Sequence, residues 1–336
     1  MSVDTRNEAF LHEYCVENAE TTDFPGNYAD FDDSWDLQSF KENVEENAIE
    51  FDMIGISPAI ANAFRRILLA EVPTMAIEKV FIYNNTSILQ DDFLAHRLGL
   101  IPINVDPRYF EYRQEGDEEG TPQDTIVFEL KLKCTKNPNP EPDACTPESL
   151  YNNRNIYSKH LKWVPIGNQE EIFQGKPIKP VDDDILIAKL SPGQELDLKL
   201  HCVKGVGRDH IKFSPVATAF YRLLPKIQLL RTFENDEAEK LKKCFTKGVI
   251  KCENVDGKKI AKVVNPRKDT CGRNVFRHPE FKDSVKLSVV KDHFIFSIES
   301  TGALSPQTLF LEAVEIFAGK CRHFLGELEE INKDAK

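Results

Sequence analysis

The chain has little of what a metalloprotein, a membrane protein or a stand-alone enzyme needs. It has eight cysteines, Cys15, Cys134, Cys145, Cys202, Cys244, Cys252, Cys271 and Cys321, and no two form a C-x-x-C pair. The tightest spacing, Cys244 to Cys252, is too loose for a zinc knuckle. No bound metal or cofactor is therefore expected. Residues 1–20 are acidic and lack the apolar core of a secretory signal, so reduced, unpaired thiols are the expectation. No apolar run reaches the roughly 18 residues a membrane-spanning helix needs. There is no Walker A loop, no G-x-S-x-G, no H-E-x-x-H, and no carboxylate cluster fit for the paired metals of nucleotidyl transfer. Weak candidates remain. His201, Asp209 and His210 are close in sequence and fit a metal or acid–base site, or simply the polar residues of a strand and turn. Gly205-Val206-Gly207 is too short for a phosphate loop, and His96-Arg97 could polarise a substrate.

Positive charge is also scarce. The net charge is −12. Residues 1–50 carry fourteen acidic residues against Arg6 and Lys41, which accounts for all of it, and the remainder is balanced. A chain built to grip phosphate backbone needs an excess of Lys and Arg. The acidic leader, residues 1–45, reads as a solvated tail or as a segment that docks on a basic partner.

What is present is a helix–strand mixture with clear punctuation. Ile49, Phe51 and Met53 alternate with acids, as in a strand, and residues 75–83 and 125–134 do likewise. Residues 89–98 form a short helix with Gly99 at its C-cap. Four prolines make 136–147 a loop. Residues 185–190 and 195–203 are strands joined through the SPGQ turn. Residues 216–230 start extended and stop near Pro225. Residues 234–279 read as a polar, loop-rich excursion with one helix at 237–244. Phe294, Phe296 and Ile298 mark a last strand.

Two helices stand out. In 60–73, IANAFRRILLAEVP, Ser57 serves as N-cap, Pro58 takes the first helical position and Pro73 stops the helix. Ile60, Phe64, Ile67 and Leu68 share one face. Asn62, Arg65 and Arg66 lie opposite, with Leu69 among them. A core-facing amphipathic helix explains the first face; two arginines beside a leucine point to a contact with another protein. Ser305 and Pro306 open the longest helix, to about residue 331. Its Phe310, Val314, Phe317, Cys321, Phe324, Leu328 and Ile331 form a heptad-like seam, flanked by Ala313, Ile316 and Leu325. Either the helix is sunk in the chain's own core or one face meets a partner helix.

The 60–73 run resembles the signature helix of the RNA polymerase alpha family, in which an Asn is closely followed by Arg-Arg and an aliphatic run. DDFLAHRLGLIPI at 91–103 and GQELDLKLHCVKGVGRDHIKFSP at 193–215 resemble later blocks of eukaryotic and archaeal members. The resemblance runs from about residue 50 to about 328. TTDFPGNY at 21–28 and YNNTSILQDD at 83–92 are similar to the larger alpha-like branch shared by polymerases I and III, with the polymerase II branch as the alternative. The resemblance implies an α+β fold: a discontinuous dimerisation domain from residues 46–72 and 215–336, helices over a small antiparallel sheet, with a β-rich domain, 73–214, inserted. It implies a non-catalytic assembly subunit that pairs with a smaller alpha-like subunit and docks the second-largest and largest subunits. DNA is then reached only through the complex, in the nucleus. Asn62, Phe64, Arg65, Arg66, Leu68 and Leu69, with Phe310, Val314, Phe317, Cys321, Phe324 and Leu328, are the implied partner-binding residues, Arg65 and Arg66 facing the second-largest subunit. Some members hold a metal with an inserted-domain cysteine cluster; here 112–124, YRQEGDEEGTPQD, has no cysteine. A hydrolase using His201 and His210, and a direct nucleic-acid-binding module, are the rival readings.

Overall fold

The computed structural model describes residues 8–13, 16–18, 44–45, 47–114, 116, 119–138, 146, 150–174, 177–255 and 257–334. In chain order the strands are β1 (Glu8–Leu11), β2 (Val16–Glu17), β3 (Val44–Glu45), β4 (Ala48–Ile54), β5 (Pro73–Asn85), β6 (Ile103–Asn104), β7 (Thr125–Lys133), β8 (Thr135–Lys136) and β9 (Tyr151–Asn152). They continue with β10 (Asn155–Tyr157), β11 (Lys162–Val164), β12 (Lys179–Pro180), β13 (Leu186–Lys189), β14 (Glu195–Val206), β15 (Val216–Leu229), β16 (Ile250–Val255), β17 (Lys258–Val263) and β18 (Val285–Ser300). The helices are α1 (Pro58–Ala70), α2 (Asp91–Gly99), α3 (Gln169–Ile172), α4 (Asn235–Lys243), α5 (Pro279–Lys282) and α6 (Pro306–Asp334). The fold is mixed α+β with antiparallel sheets.

The described residues form two compact units. The first takes in Glu50–Ala63 and Phe220–Ser297 with the described residues up to Val44; the second takes in Glu45–Ile49, Phe64–Ala219 and Ile298–Lys336. The first is organised on β18. One edge of that strand carries β15. Along the other, β4 and β1 follow one another: the Gly55 N–H donates to Asp292 at the β4 end, and Glu8 to Leu11 pair with Val290 to Leu287. Alternation in β4 buries Phe51 and Met53, and Phe51 stacks on Phe296 at 5.5 Å. The charged residues between them are also engaged. Arg267 bridges Glu50 and Asp52, and His293 Nε2 meets Asp52 at 2.9 Å. A second cluster gathers α4, α5 and the β16–β17 hairpin around Phe233, Leu241, Val249 and Phe281.

The second unit holds the sheet β11-β7-β14-β5. Leu196, Leu198 and Leu200 of β14 are buried, because period-2 alternation sends all three to one face. They join Ile126, Phe128 and Leu130 of β7, Ile77 of β5 and Leu94 and Leu98 of α2.

Several sequence expectations need correction. Part of the leader is strand: β1 lies on β18, with Glu8 buried and ion-paired to Lys226. The rest of the leader lies largely outside the described residues. Pro225 does not end β15, which continues to Leu229. Among the described strands β15 pairs β18 alone, and an edge strand tolerates a missing N–H. Gly99 is the last residue of α2 and Leu100 is its C-cap. The 234–279 stretch contains the hairpin β16–β17. The Asp-Gly pair at 256–257 of the sequence was the available signal, since such a pair favours two-residue hairpins, and Gly257 has φ +80°. Lys136 belongs to β8, while most of 136–147 lies outside the described residues.

Candidate functional site

The site with most character lies in the second unit, where the later part of α1 meets the root of α6. Phe64, Ile67 and Leu68 are buried, as one face of a 3.6-residue period requires. The Phe64 ring lies 5.4 Å from both Phe310, tilted, and Phe317, edge-on. These geometries suit aromatic quadrupoles and add about 0.5–1.5 kcal/mol each beyond burial. The Ser305 hydroxyl accepts the Thr308 N–H at 3.2 Å, capping α6 at its first turn. Two ion pairs flank the contact: Lys320 to Glu71 at 2.5 Å, and Arg108 to Glu312 at 3.2 Å. Arg108 also forks onto Asp106. Despite the cost of partial burial, those bonds hold the Asp106 carboxyl below its usual range.

Past Lys320 the surroundings of α6 change. Leu309 and Ala313 are fully covered, whereas Phe324 is 68% exposed, Leu325 61%, Leu328 56% and Ile331 62%. Cys321 is exposed as well. The expected partner-binding residues thus divide. Phe64, Leu68 and Phe310 are interior. Asn62, Arg65, Leu69 and Phe317 are half-buried. Arg66, Val314, Cys321, Phe324 and Leu328 are at the surface. Sequence reading missed Leu311, which is 64% exposed on the packed half, because it falls outside the 4-3 spacing.

The weak catalytic candidates do not assemble. His201 is buried in β14 with neither ring nitrogen hydrogen-bonded, and its ring meets Phe81 edge-on at 4.8 Å. Desolvation, then Lys199, Arg113 and Lys79, lower its pKa to about 4. His210 instead accepts the Lys212 N–H through Nδ1, and its ring neighbours His96 at 6.2 Å. Among the described residues no group of three or more His, Cys, Asp and Glu is placed to hold a metal ion. None of their helices is long and apolar enough to cross a membrane.

The sequence profile of the RNA polymerase Rpb3/Rpb11 dimerisation domain matches residues 50–321, a span that contains α1 and the part of α6 up to Cys321. The chain belongs to this family. A mouse protein named DNA-directed RNA polymerases I and III subunit RPAC1 is 57% identical, over 98% of this chain and 98% of its own length. The Saccharomyces cerevisiae protein of that name is 45% identical, over 92% of this chain and 94% of its own. Dictyostelium discoideum DNA-directed RNA polymerase II subunit rpb3 is 30% identical, over 85% and 93% respectively. The α1–α6 contact has two halves. It is a helix pair whose near half is consumed internally and whose far half carries uncovered apolar side chains.

Proposed function

We propose that the chain is a non-catalytic assembly subunit of RNA polymerases I and III, pairing through α6 with a smaller alpha-like subunit. The observation that carries this is the far half of α6. Burying a Phe or Leu side chain is worth about 1.5–3 kcal/mol, so Phe324, Leu325, Leu328 and Ile331 in water on one helix are a liability unless something covers them. A partner helix with the same heptad-like spacing fits the seam. The names of the relatives supply the polymerase: 57% and 45% identity to proteins named for polymerases I and III, against 30% to one named for polymerase II.

In this reading residues 46–72 and 215–336 form the discontinuous dimerisation domain and 73–214 the inserted β-rich domain. Val314, Cys321, Phe324 and Leu328 meet the small partner. Phe64, Leu68, Phe310 and Phe317 set the angle at which α6 is presented. The opposite face of α1, with Asn62, Arg65, Arg66 and Leu69, receives the second-largest subunit, and the largest joins the resulting platform. The protein works in the nucleus, in nucleolus and nucleoplasm, and reaches DNA only through the complex. Affinity isolation of the tagged full-length protein from cells tests this. The expected result is a smaller alpha-like chain at 1:1, with the large subunits of both polymerases. A stable monomer that ignores the small subunit would sink the reading.

A further inference from the structure

The balanced charge beyond the leader hides an unequal distribution. Residues 240–277 carry twelve Lys and Arg against three Asp and Glu, and all belong to the first unit. Many of these cations are engaged locally. Glu280 takes Lys240, Glu253 takes Lys251 and Lys262, Glu239 takes Lys259, Glu234 takes Lys258, and Arg267 bridges Glu50 and Asp52. Lys242, Lys243, Lys247 and Lys268 are exposed, and no described carboxylate meets them.

Local structure gathers these four at the C-terminal end of α4. Lys242 and Lys243 lie in its last turn, where positive charge complements the helix dipole. That purpose does not extend to Lys247 and Lys268, which lie outside the helix. The Val249 N–H closes a turn on the Thr246 carbonyl at 3.2 Å. Lys247 and Gly248 form its tip, and Gly248 has φ +97°, the sign a type II turn takes at that position. Buried Phe245 and Val249 fix both ends of the turn in the core around Leu241. Lys268 returns to the same tip: a Cβ on Gly248 would stand 3.4 Å from its Cδ and 3.8 Å from its Nζ. The acid beside it, Asp269, is buried, and its carboxylate accepts the Thr246 and Cys271 N–H groups. Asp269 therefore ties the two loops together and does not pair with Lys268. Val264 borders the turn. It is 54% exposed, and its N–H donates to the Val249 carbonyl at 2.9 Å.

We propose that this end of α4 is a docking surface for a short acidic segment of another protein, one that carries an apolar side chain among its carboxylates. Charge complementarity calls for the carboxylates. Val264 offers the apolar side chain a contact that a sugar–phosphate backbone would not use. Nucleic acid suits the surface less for two further reasons. Its charge is continuous, and beyond the four lysines it would find cations that Glu239, Glu253 and Glu280 already hold. The aromatic residues of 240–277, Phe245 and Phe276, are both buried, so no ring is presented for bases to stack on. The proposal does not depend on the pairing through α6.

Titration of the full-length protein with a fluorescent peptide repeating Glu-Glu-Leu-Glu-Glu tests this. Lys247→Glu combined with Lys268→Glu is expected to weaken binding about tenfold at the wild-type denaturation midpoint. Lys251→Glu combined with Lys262→Glu makes the same change of net charge at lysines that Glu253 already holds, and is expected to change binding by less than about twofold. Equal losses from the two pairs would reduce the effect to net charge and overturn the proposal. Lys247→Gln combined with Lys268→Gln, which adds no like charge, keeps the test open if the Glu pair lowers the midpoint. It is expected to weaken binding about threefold, and wild-type affinity there would overturn the proposal. Replacing the peptide's Leu by Gly is expected to cost about threefold in affinity; no change would remove the apolar contact and with it the case for a protein segment. Duplex DNA that binds more tightly than the peptide, and is lost with the same lysines, would make the ligand nucleic acid. Uptake of the peptide only after the acids of residues 20–36 are changed to Asn and Gln would make the chain's own leader the occupant. Either result overturns the proposal.

Discussion

Residues 306–320 and 321–331 of α6 carry the same 4-3 apolar spacing and meet different surroundings. In the first stretch Leu309, Phe310 and Ala313 are buried and Phe317 packs on Phe64. In the second every residue is exposed. A period marks which side chains share a face, and says nothing about what covers that face. In the first stretch Phe310 and Phe317 are covered by Phe64 of α1, some 250 positions earlier in the chain. In the second, no described residue supplies such cover. Eleven residues rise about 16 Å, and a helix of that length is marginal in water by itself. The far half therefore depends on a cover in a way the near half does not.

The largest expected effect breaks the near half. Phe310→Ala removes a buried ring from the contact with Phe64 and should cost about 3–5 kcal/mol of folding stability, read as a lowered denaturation midpoint of the isolated chain. Phe324→Asp should leave that midpoint unchanged, because the side chain is already in water. It should weaken binding of the small partner by about 2 kcal/mol or more, the size of an interfacial anchor, measured by titration of the purified chains. If Phe324→Asp destabilises the isolated chain as much as Phe310→Ala does, the contrast is wrong. Phe317→Asp cannot separate the two effects, since its ring serves the chain's own core as well as the seam. Hydrogen exchange sharpens the same point: amides of 321–331 should exchange rapidly in the chain alone and slowly once the partner is bound.

A smaller effect is expected from a region outside the comparison. His201 is held neutral, its pKa about 4 against an ordinary 6.5. Between those values the unfolded chain binds the extra proton, so stability is full above the unfolded value and falls as pH drops from about 6.5 toward about 4. After allowance for screening the loss should be about 1–2 kcal/mol. Urea titrations at neutral and acidic pH, on wild type and His201→Leu, should show a slope that the variant lacks. Equal slopes would show that other groups govern the acid limb. The far half of α6 should play no part in it.

How much was legible beforehand follows the range of the interactions. Ser57–Pro58, Ser305–Pro306 and Pro73 act within a few residues, and α1, α6 and β5 begin or end beside them. The alternation of Ile49, Phe51 and Met53 gave β4 for the same reason. The leader strand β1 was not legible, because its partner, β18, lies some 280 residues away and no local period announces the pairing. Nor was the fit of Gly207 against Leu69. A Gly-Val-Gly triplet states only that two side chains are missing, while the reason for their absence is another element. At the site, spacing found the seam and its arginine-bearing neighbour, but could not divide interior from surface.

The smallest expected effect lies at the boundary between the two stretches. Lys320 is the last α6 residue with an ion-pair partner outside its own helix among the described residues, meeting Glu71 beyond the end of α1. Both side chains are partly exposed, 45% and 30%, so the attraction is screened and the pair should contribute no more than about 0.5 kcal/mol. Lys320→Ala should therefore leave the denaturation midpoint nearly unchanged. Its consequence should be directional. Without the pair, exchange of α6 amides should quicken from one turn earlier, toward Phe317, in the isolated chain, and be restored by the small partner. A double-mutant cycle with Glu71→Ala assigns any such change to the pair itself. If Lys320→Ala quickens exchange no further back than residue 321, the boundary is set by the Phe64–Phe317 packing alone, and the ion pair is incidental to it.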